Sequence, residues 1–354
     1  MKKVLSYIIF ALKLMGEIFS QIKGFSSYLP PNKKLSEDTV PFGTLPRKID
    51  FKRLTGIVSH HEVIPNQGAI ELAVEASKLA LERSKVPVEE IDLVISCSVS
   101  RMSHESVNLV DPCLASQICT RLNIKARNFD ITNACLGMVT GLMIADQKIK
   151  AGKIRNALIV SGEHLTPIIE EALSRNLLWN HKAIASLTVG DAGGAYVISH
   201  SEQERIKFFE PMTLAQHCDL CIGESAKNRQ GPAMRTSARK LQYAALDNLG
   251  EYMKRCFNKP EDLESHNHII PHQTTPKAVL RGAKIIDSIW GLGDRVHSIS
   301  HSGNTASTSH TVALDKLLME KKLKNDEKVY FISFGSGLGM LGISLNLPKE
   351  IESW

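Results

Sequence analysis

"FDITNACLGMVTG", residues 129–141, ends an apolar, strand-like run and begins a helix-like one, with Cys135 at the junction. Upstream, "IDLVISCSVS" (91–100) and "ARNFDIT" (126–132) read as strands, separated by the helical "LASQICTRLNI" (114–124). Downstream, a helix over 136–151 stops near Gly152 and gives way to the apolar run "NALIVSG" (156–162). Further out, "AIELAVEASKLALERSKV" (69–86) spaces its apolar residues as a helix does. Short continuous apolar runs alternating with helices predict an α/β chain of βαβ units, its sheet parallel and covered on both faces.

The rhythm then repeats. A helix over 236–256, a strand in "HNHIIPH" (266–272), a helix over 277–287, a strand in "RVHSISH" (295–301) and a helix over 306–322 follow in turn. "KVYFISFGSGLGMLGISLNL" (328–347) reads as two strands around a glycine-rich turn. The two halves join within 199–210, which suggests an internal duplication although the halves share no visible sequence identity.

Composition bounds the function. With 354 residues, 43% apolar and 23% charged, the chain suits one large domain or two moderate ones and is too apolar to be disordered. Its net charge is +6, but Lys and Arg are interleaved with Asp and Glu, and aromatics are few. That pattern argues against nucleic acid and leaves room for one acidic protein partner. Seven cysteines, an odd number in mostly apolar surroundings, predict reduced thiols and a cytoplasmic home. "CDLC" (218–221) has no second pair, so no metal site is expected. The N-terminal "MKKVLSYIIFALKLMGEIFSQIKG" resembles a signal peptide, but Lys13 and Glu17 interrupt its apolar run and no cleavage site follows. It is too short and too charged to span a bilayer, and is expected to be an appended amphipathic helix, the product of an upstream start site, or a weak membrane-surface anchor.

Chemistry in α/β sheets gathers at the carboxyl ends of strands, and three polar residues are expected there. Cys135 follows "NFDIT" at the start of a helix, where free N–H groups and the helix dipole favour an anion. Its thiol pKa is therefore expected to fall, giving a thiolate able to accept an acyl group. The ordinary alternative is a small hydrophobe filling the core. Gly137 and Gly141 leave room for a chain or ligand to come close. His272, after "HIIP", suits a proton shuttle or an oxyanion donor, though the chain has 13 histidines. Asn304, in "HSGNTAS", offers a second oxyanion donor or a plain helix N-cap. One nucleophile with two hydrogen-bond donors suits thioester formation followed by enolate stabilisation.

These segments resemble those of the ketoacyl synthase III group of thiolase-like condensing enzymes. "NFDITNACLGM" resembles the family's nucleophile segment, "IIPHQTT" its His-Gln segment and "HSGNTAS" its Gly-Asn segment. "FGSGLGMLG" resembles its C-terminal glycine turn, "LTVGDAGGAYVIS" the strand closing its first half, and "IKGFSSYLP" (22–30) its first strand. The resemblance implies a five-layer αβαβα fold of two duplicated halves and a homodimer. The halves would run over 22–203, with the nucleophile, and 204–354, with the histidine and asparagine, after an extension over 1–21. It implies that Cys135 takes an acyl group from coenzyme A or acyl carrier protein, with no cofactor beyond the carrier of the substrates. His272 and Asn304 would hold the carbonyl of a second thioester while its enolate forms, and the backbone N–H groups of Cys135 and Gly337 would form the oxyanion hole. A β-keto product follows, in fatty-acid or polyketide-type metabolism.

Two positions depart from the fatty-acid-initiating pattern. Asp111, before Pro112, stands where those enzymes usually carry an aromatic that reaches into the partner subunit's acyl tunnel. Head-to-head, pyrone- and resorcinol-forming relatives often have Glu there, so Asp111 is a candidate base for the α-proton, or else a plain turn residue. Leu54 replaces a usual arginine, which weakens the case for adenine-nucleotide recognition. Lys277, Arg281 and Lys284 share one helix face and suit an acidic carrier protein or a phosphopantetheine phosphate. A papain-like hydrolase shares the order Cys, His, Asn but needs a different surround of the cysteine. An acyl shuttle that makes esters or amides, or a non-catalytic partner subunit, is the remaining alternative.

Overall fold

Strands form here where apolar residues alternate between two covered faces. The computed structural model describes residues 17–175, 177, 181–227, 229–257 and 259–354, so the helix or anchor expected at the N-terminus lies outside the described residues. The first half supplies β1 (Phe19–Tyr28), β2 (Asn32–Leu35), β3 (Ser59–Glu62), β4 (Leu93–Ser96), β5 (Arg127–Asp130), β6 (Asn156–Glu163) and β7 (Ala192–Ser201). One sheet runs in the order β1-β7-β6-β4-β5. In β6, Ala157 and Ile159 join the apolar cluster on one face, and Leu158 and Val160 the cluster on the other. Successive strand residues point to opposite faces, so a strand buried on both sides reads as an unbroken apolar run. Each such aliphatic side chain stabilises the fold by about 1.5–3 kcal/mol.

The second half supplies β8 (Ile206–Phe208), β9 (Met212–Thr213), β10 (Cys221–Ser225), β11 (Pro232–Thr236), β12 (His268–Pro271), β13 (Lys328–Gly335) and β14 (Gly339–Asn346). A second sheet runs β12-β13-β14-β8, with β9 also on β14, while β10 and β11 form a separate hairpin. β13 repeats the two-faced logic: Val329 and Phe331 face one cluster, Tyr330 and Ile332 another.

Helices separate the sheets and cover them. α1 (Ala69–Ser84) and α2 (Leu114–Leu122) cover the outer face of the first sheet. α3 (Gly137–Lys150) lies between the sheets, and α4 (Thr166–Leu173) packs beside β11. α5 (Ala238–Cys256) and α6 (Pro276–Trp290) cover the outer face of the second sheet, and α7 (Ser309–Met319) joins α3 in the centre. The result is five layers, αβαβα. Both central helices are entered through a one-turn 3-10 segment, Ala134–Leu136 before α3 and Ala306–Thr308 before α7. Each entry starts on an alanine in the left-handed region, φ 45° at Ala134 and 46° at Ala306. This conformation is costly for a residue with a Cβ, by about 1–2 kcal/mol, so the repeated entry is a structural signature of duplication.

Several expectations are corrected. The sheets are mixed: β4 pairs in parallel with β5 and β6, and β12 with β13, but β1–β7, β6–β7 and β13–β14 are antiparallel. Coverage on both faces, not parallel pairing, produced the apolar runs. β1 begins at Phe19, so residues 19–21 are strand and not extension. The strand expected over 295–301 reduces to one bridge, Val296 with Ile269. There the Gln273 carboxamide takes the backbone groups a partner strand would need, donating to His297 O and accepting from Ile299 N. Gly137 and Gly141 do permit close approach, but to Cys97: an added Cβ would lie 2.7 Å from its carbonyl oxygen and 2.8 Å from its sulfur, respectively.

Candidate active site

The two 3-10 entries pack against each other between the sheets. That contact sets Cys135, the middle residue of one entry, against the other, which begins two residues after Asn304. Half-buried Cys135 also packs on an apolar cluster that includes Leu187, Val189, Ala306 and Met234. The glycine turn between β13 and β14 closes the other side. A Cβ at Gly335 or Gly339 would lie 2.8 Å from the Leu136 side chain, so glycine lets this turn seat against the Cys135 segment without displacing that side chain. Gly337, at φ 132°, sits at its tip in a backbone state suited to glycine.

His272 leaves β12 with its N–H on Ile332 O of β13. Its Nδ1 lies 2.6 Å from Ser309 Oγ, the first residue of α7. Ser309 Oγ also accepts the Gln273 N–H at 3.4 Å, and its own proton is available to Nδ1, an arrangement that suits the tautomer with N–H on Nε2. Burial, with neighbouring His310 second, pushes the His272 pKa down to about 3, so the ring is neutral at physiological pH. Asn304 follows no strand; its N–H bonds Thr188 O, its carbonyl accepts from Gly190, and a bridge ties it to Val189. Its Oδ1 accepts the Ala306 N–H at 3.0 Å, which turns the amide so that Nδ2 has no partner among the described residues. Cys135, Asn304 and His272 are thus joined through Ala306–Ser309.

The lowered thiol pKa expected for Cys135 is not found. Burial pushes it well above the ordinary range, with Cys221 and Glu163 adding to the rise, while a backbone hydrogen bond opposes them. Desolvation and two nearby acidic groups outweigh the helix terminus.

The other expected residues lie apart. Asp111 is exposed on the 98–113 loop and makes none of the contacts that join the other three. Lys277, Arg281 and Lys284 are exposed on α6, as predicted from their spacing. They line an open groove of about 610 Å³ with Leu280, but Asp287 and Asp294 line it too and offset part of the positive charge. Leu54 is exposed, flanked by exposed Lys52 and Arg53. Cys221 Sγ contacts Thr236 Oγ1 at 3.3 Å, Cys218 is exposed, and no metal-binding cluster occurs among the described residues. Asp130 and Asp191 hold backbone N–H groups: Asp130 takes those of Leu114 and Ala115, Asp191 those of Val63, Leu165 and Thr166. Gln273 lay in the quoted His-Gln segment but was given no role, and Ser309, Ser307 and Glu163 went unrecognised in the sequence.

Comparison with known proteins follows the same outline. A family model described as 3-Oxoacyl-[acyl-carrier-protein (ACP)] synthase III matches residues 129–214, and its C-terminal counterpart matches residues 261–347. The β-ketoacyl-[acyl-carrier-protein] synthase III of Alkalilimnicola ehrlichii is 27% identical over 337 residues, covering 90% of this chain and 96% of its own. That of Wolbachia pipientis wMel is 27% identical over 328 residues, with the same coverage of 90% and 96%. A cysteine-to-serine variant of Xanthomonas campestris OleA, with bound lauric acid and lauroyl-CoA, superposes with a TM-score of 0.81 at 23% identity. It covers 93% of this chain and 99% of that one, a likeness of fold.

Proposed function

We propose that this chain works as a ketoacyl-synthase-III-like condensing enzyme and that Cys135 carries the acyl group through a Claisen condensation. The observation that carries this reading is the seating of the Cys135 turn against the turn after Asn304, with Ser309 fixing the His272 ring.

Loading comes first. The Cys135 sulfur attacks the carbonyl of a donor thioester, the new C–S bond forms, and the bond to the carrier sulfur breaks. The thiol proton passes to the departing carrier sulfur. Condensation follows. The second thioester rests its carbonyl oxygen on His272 Nε2–H and Asn304 Nδ2–H. Loss of carbon dioxide from a malonyl group generates the enolate, whose carbon attacks the Cys135 thioester. The C–C bond forms, the acyl–sulfur bond breaks, and the released Cys135 thiolate takes a proton from solvent. Backbone N–H groups of Cys135 and Gly337 hold the oxyanion of that attack, at about 3–4 kcal/mol per donor.

A second reading joins two acyl thioesters without decarboxylation, with Asp111 removing the α-proton. Asp111 in place of an aromatic favours it, and the fold neighbour OleA binds lauroyl-CoA. The Asp111 loop exposes Val99, Val107 and Val110, which supports a homodimer that covers it and brings Asp111 to the partner's site. The groove of Lys277, Arg281 and Lys284 suits an acidic carrier protein or the phosphate of a phosphopantetheine arm, which both donors carry. The free cysteines support work in the cytoplasm, and no helix among the described residues is long and apolar enough to cross a membrane.

Intact-mass analysis after mixing with acyl-CoA and acyl-carrier donors tests the loading step. The expected result is one acyl adduct on the wild-type chain and none on Cys135→Ala; an adduct that survives Cys135→Ala refutes it. Adding malonyl-CoA separates the extenders, since decarboxylation releases carbon dioxide. Under the second reading, Asp111→Asn loses about 10²–10⁴-fold in product formation, and full activity of that variant rules the base out.

A further inference from the structure

Glu163 is the last residue of β6, fully buried at 0% exposure, and pairs with no cation among the described residues. A buried carboxylate without a counter-ion persists only where hydrogen-bond donors replace water. Here the donors come from three segments. Val99 N–H (3.0 Å) and Ser100 N–H (3.0 Å) belong to the root of the loop that carries Asp111. Ser161 Oγ (3.0 Å) belongs to β6, and Ser307 Oγ (2.5 Å) to the 3-10 entry after Asn304. Ser307 also reaches Ser161 at 2.8 Å, and Gly162 N–H bonds Ser98 Oγ at 3.0 Å, so the same hydroxyl network ties the loop to the strand.

Ser307 is the middle residue of its entry, the position that Cys135 holds in the other. One half of the duplicated turn therefore presents the nucleophile, and the other presents a hydroxyl anchored to a buried carboxylate. Glu163 makes no hydrogen bond to the Cys135 turn among the described residues. It binds the Asn304 side of the site and the root of the Asp111 loop.

Resting on the condensing-enzyme reading, we propose that Glu163 is a positioning residue for condensation. It clamps the Asn304 turn to the Asp111 loop, and so fixes where the second thioester is held relative to Cys135. Loading, which needs Cys135 and its oxyanion donors, depends on the clamp far less. The two half-reactions separate this role from a structural one.

Glu163→Gln keeps the side-chain shape and lets the hydroxyls turn to accept from the amide, but loosens the tie to Ser307. Loading of Cys135, followed by intact mass, should not fall below wild type, since removing the Glu163 charge eases ionisation of the Cys135 thiol, while product formation from the loaded enzyme falls about 10–100-fold. Should Glu163→Gln not fold, Ser307→Ala cuts only the link to the Asn304 turn, and the same split is expected. Equal losses in both half-reactions, or no loss in either, overturn the clamp. A wild-type chain that never acquires an acyl group on Cys135 refutes the condensing-enzyme reading instead, so the two failures are distinct.

Discussion

Cys135 was legible in the sequence as a position but not as an acid. The strand–cysteine–helix junction located it, whereas its pKa is set by burial and by Cys221 and Glu163, which arrive from distant segments. A free thiol here stays protonated at neutral pH, and the thiolate fraction rises tenfold for each pH unit below its pKa. Alkylation of Cys135 by iodoacetamide should therefore climb steadily from pH 6 past pH 9, and levelling off near pH 7 would show a thiolate already formed. Asn304 makes a cleaner test of the donor role. In Asn304→Asp, one oxygen still accepts the Ala306 N–H, but the free N–H donors vanish and a charge replaces them. Condensation should drop about 10²–10³-fold, near 3–4 kcal/mol, as for loss of an oxyanion-hole donor. Loading measured by mass should change much less, and equal loss in both steps would deny Asn304 its place on the second substrate.

Elements that cover both faces of a sheet announce themselves, and elements whose hydrogen bonds go to side chains do not. β6 and β13 were plain as apolar runs, and α6 through its spacing. Residues 295–301 have the composition of a strand, yet Gln273 takes the His297 carbonyl and the Ile299 N–H, and no periodicity reveals a carboxamide arriving from another segment. Strand direction was equally hidden, because β7 is as buried as its parallel neighbours would be. The β13–β14 turn, by contrast, shows its purpose in its glycines. At Gly335→Ala the new Cβ would meet Leu136 Cγ at 2.8 Å, its Cδ1 at 3.2 Å and Asn133 O at 3.3 Å. The Cys135 turn must then yield, at about 1–3 kcal/mol of stability. Because that turn carries the proposed nucleophile, loading should slow as well, read as a lower rate of adduct formation at saturating donor. A variant that unfolds earlier in urea but loads at the wild-type rate would show that the turn gives way elsewhere.

Layering places several imidazoles where water does not reach, and this gives the whole chain a pH signature. Burial pushes His266, His297 and His310 down to about 4, and His272 to about 3. In the unfolded chain each titrates near 6.5. Above that pH all four are neutral in both states and stability does not depend on them. Below it the unfolded chain binds protons that the folded chain refuses, so stability falls with pH until about 4. Glu163 and Asp191 act with the opposite sign. Burial raises both, so the folded chain keeps protons that the unfolded chain releases above its ordinary carboxylate values, and stability declines as pH rises through that range. Four imidazoles set against two carboxyls leave a net loss on acidification between about 6.5 and 4.5, with a slope of about 1.4 kcal/mol per pH unit for each unbalanced proton. Urea midpoints should therefore hold between pH 8 and 7 and fall by pH 5. Replacing His266, whose Nε2 meets only Ser344 Oγ at 2.7 Å in the outer layer, with Gln should flatten that fall while leaving the site's own imidazole in place. A midpoint at pH 5 equal to or above that at pH 7 would mean that these rings take up protons without unfolding, and that the layers around them admit water.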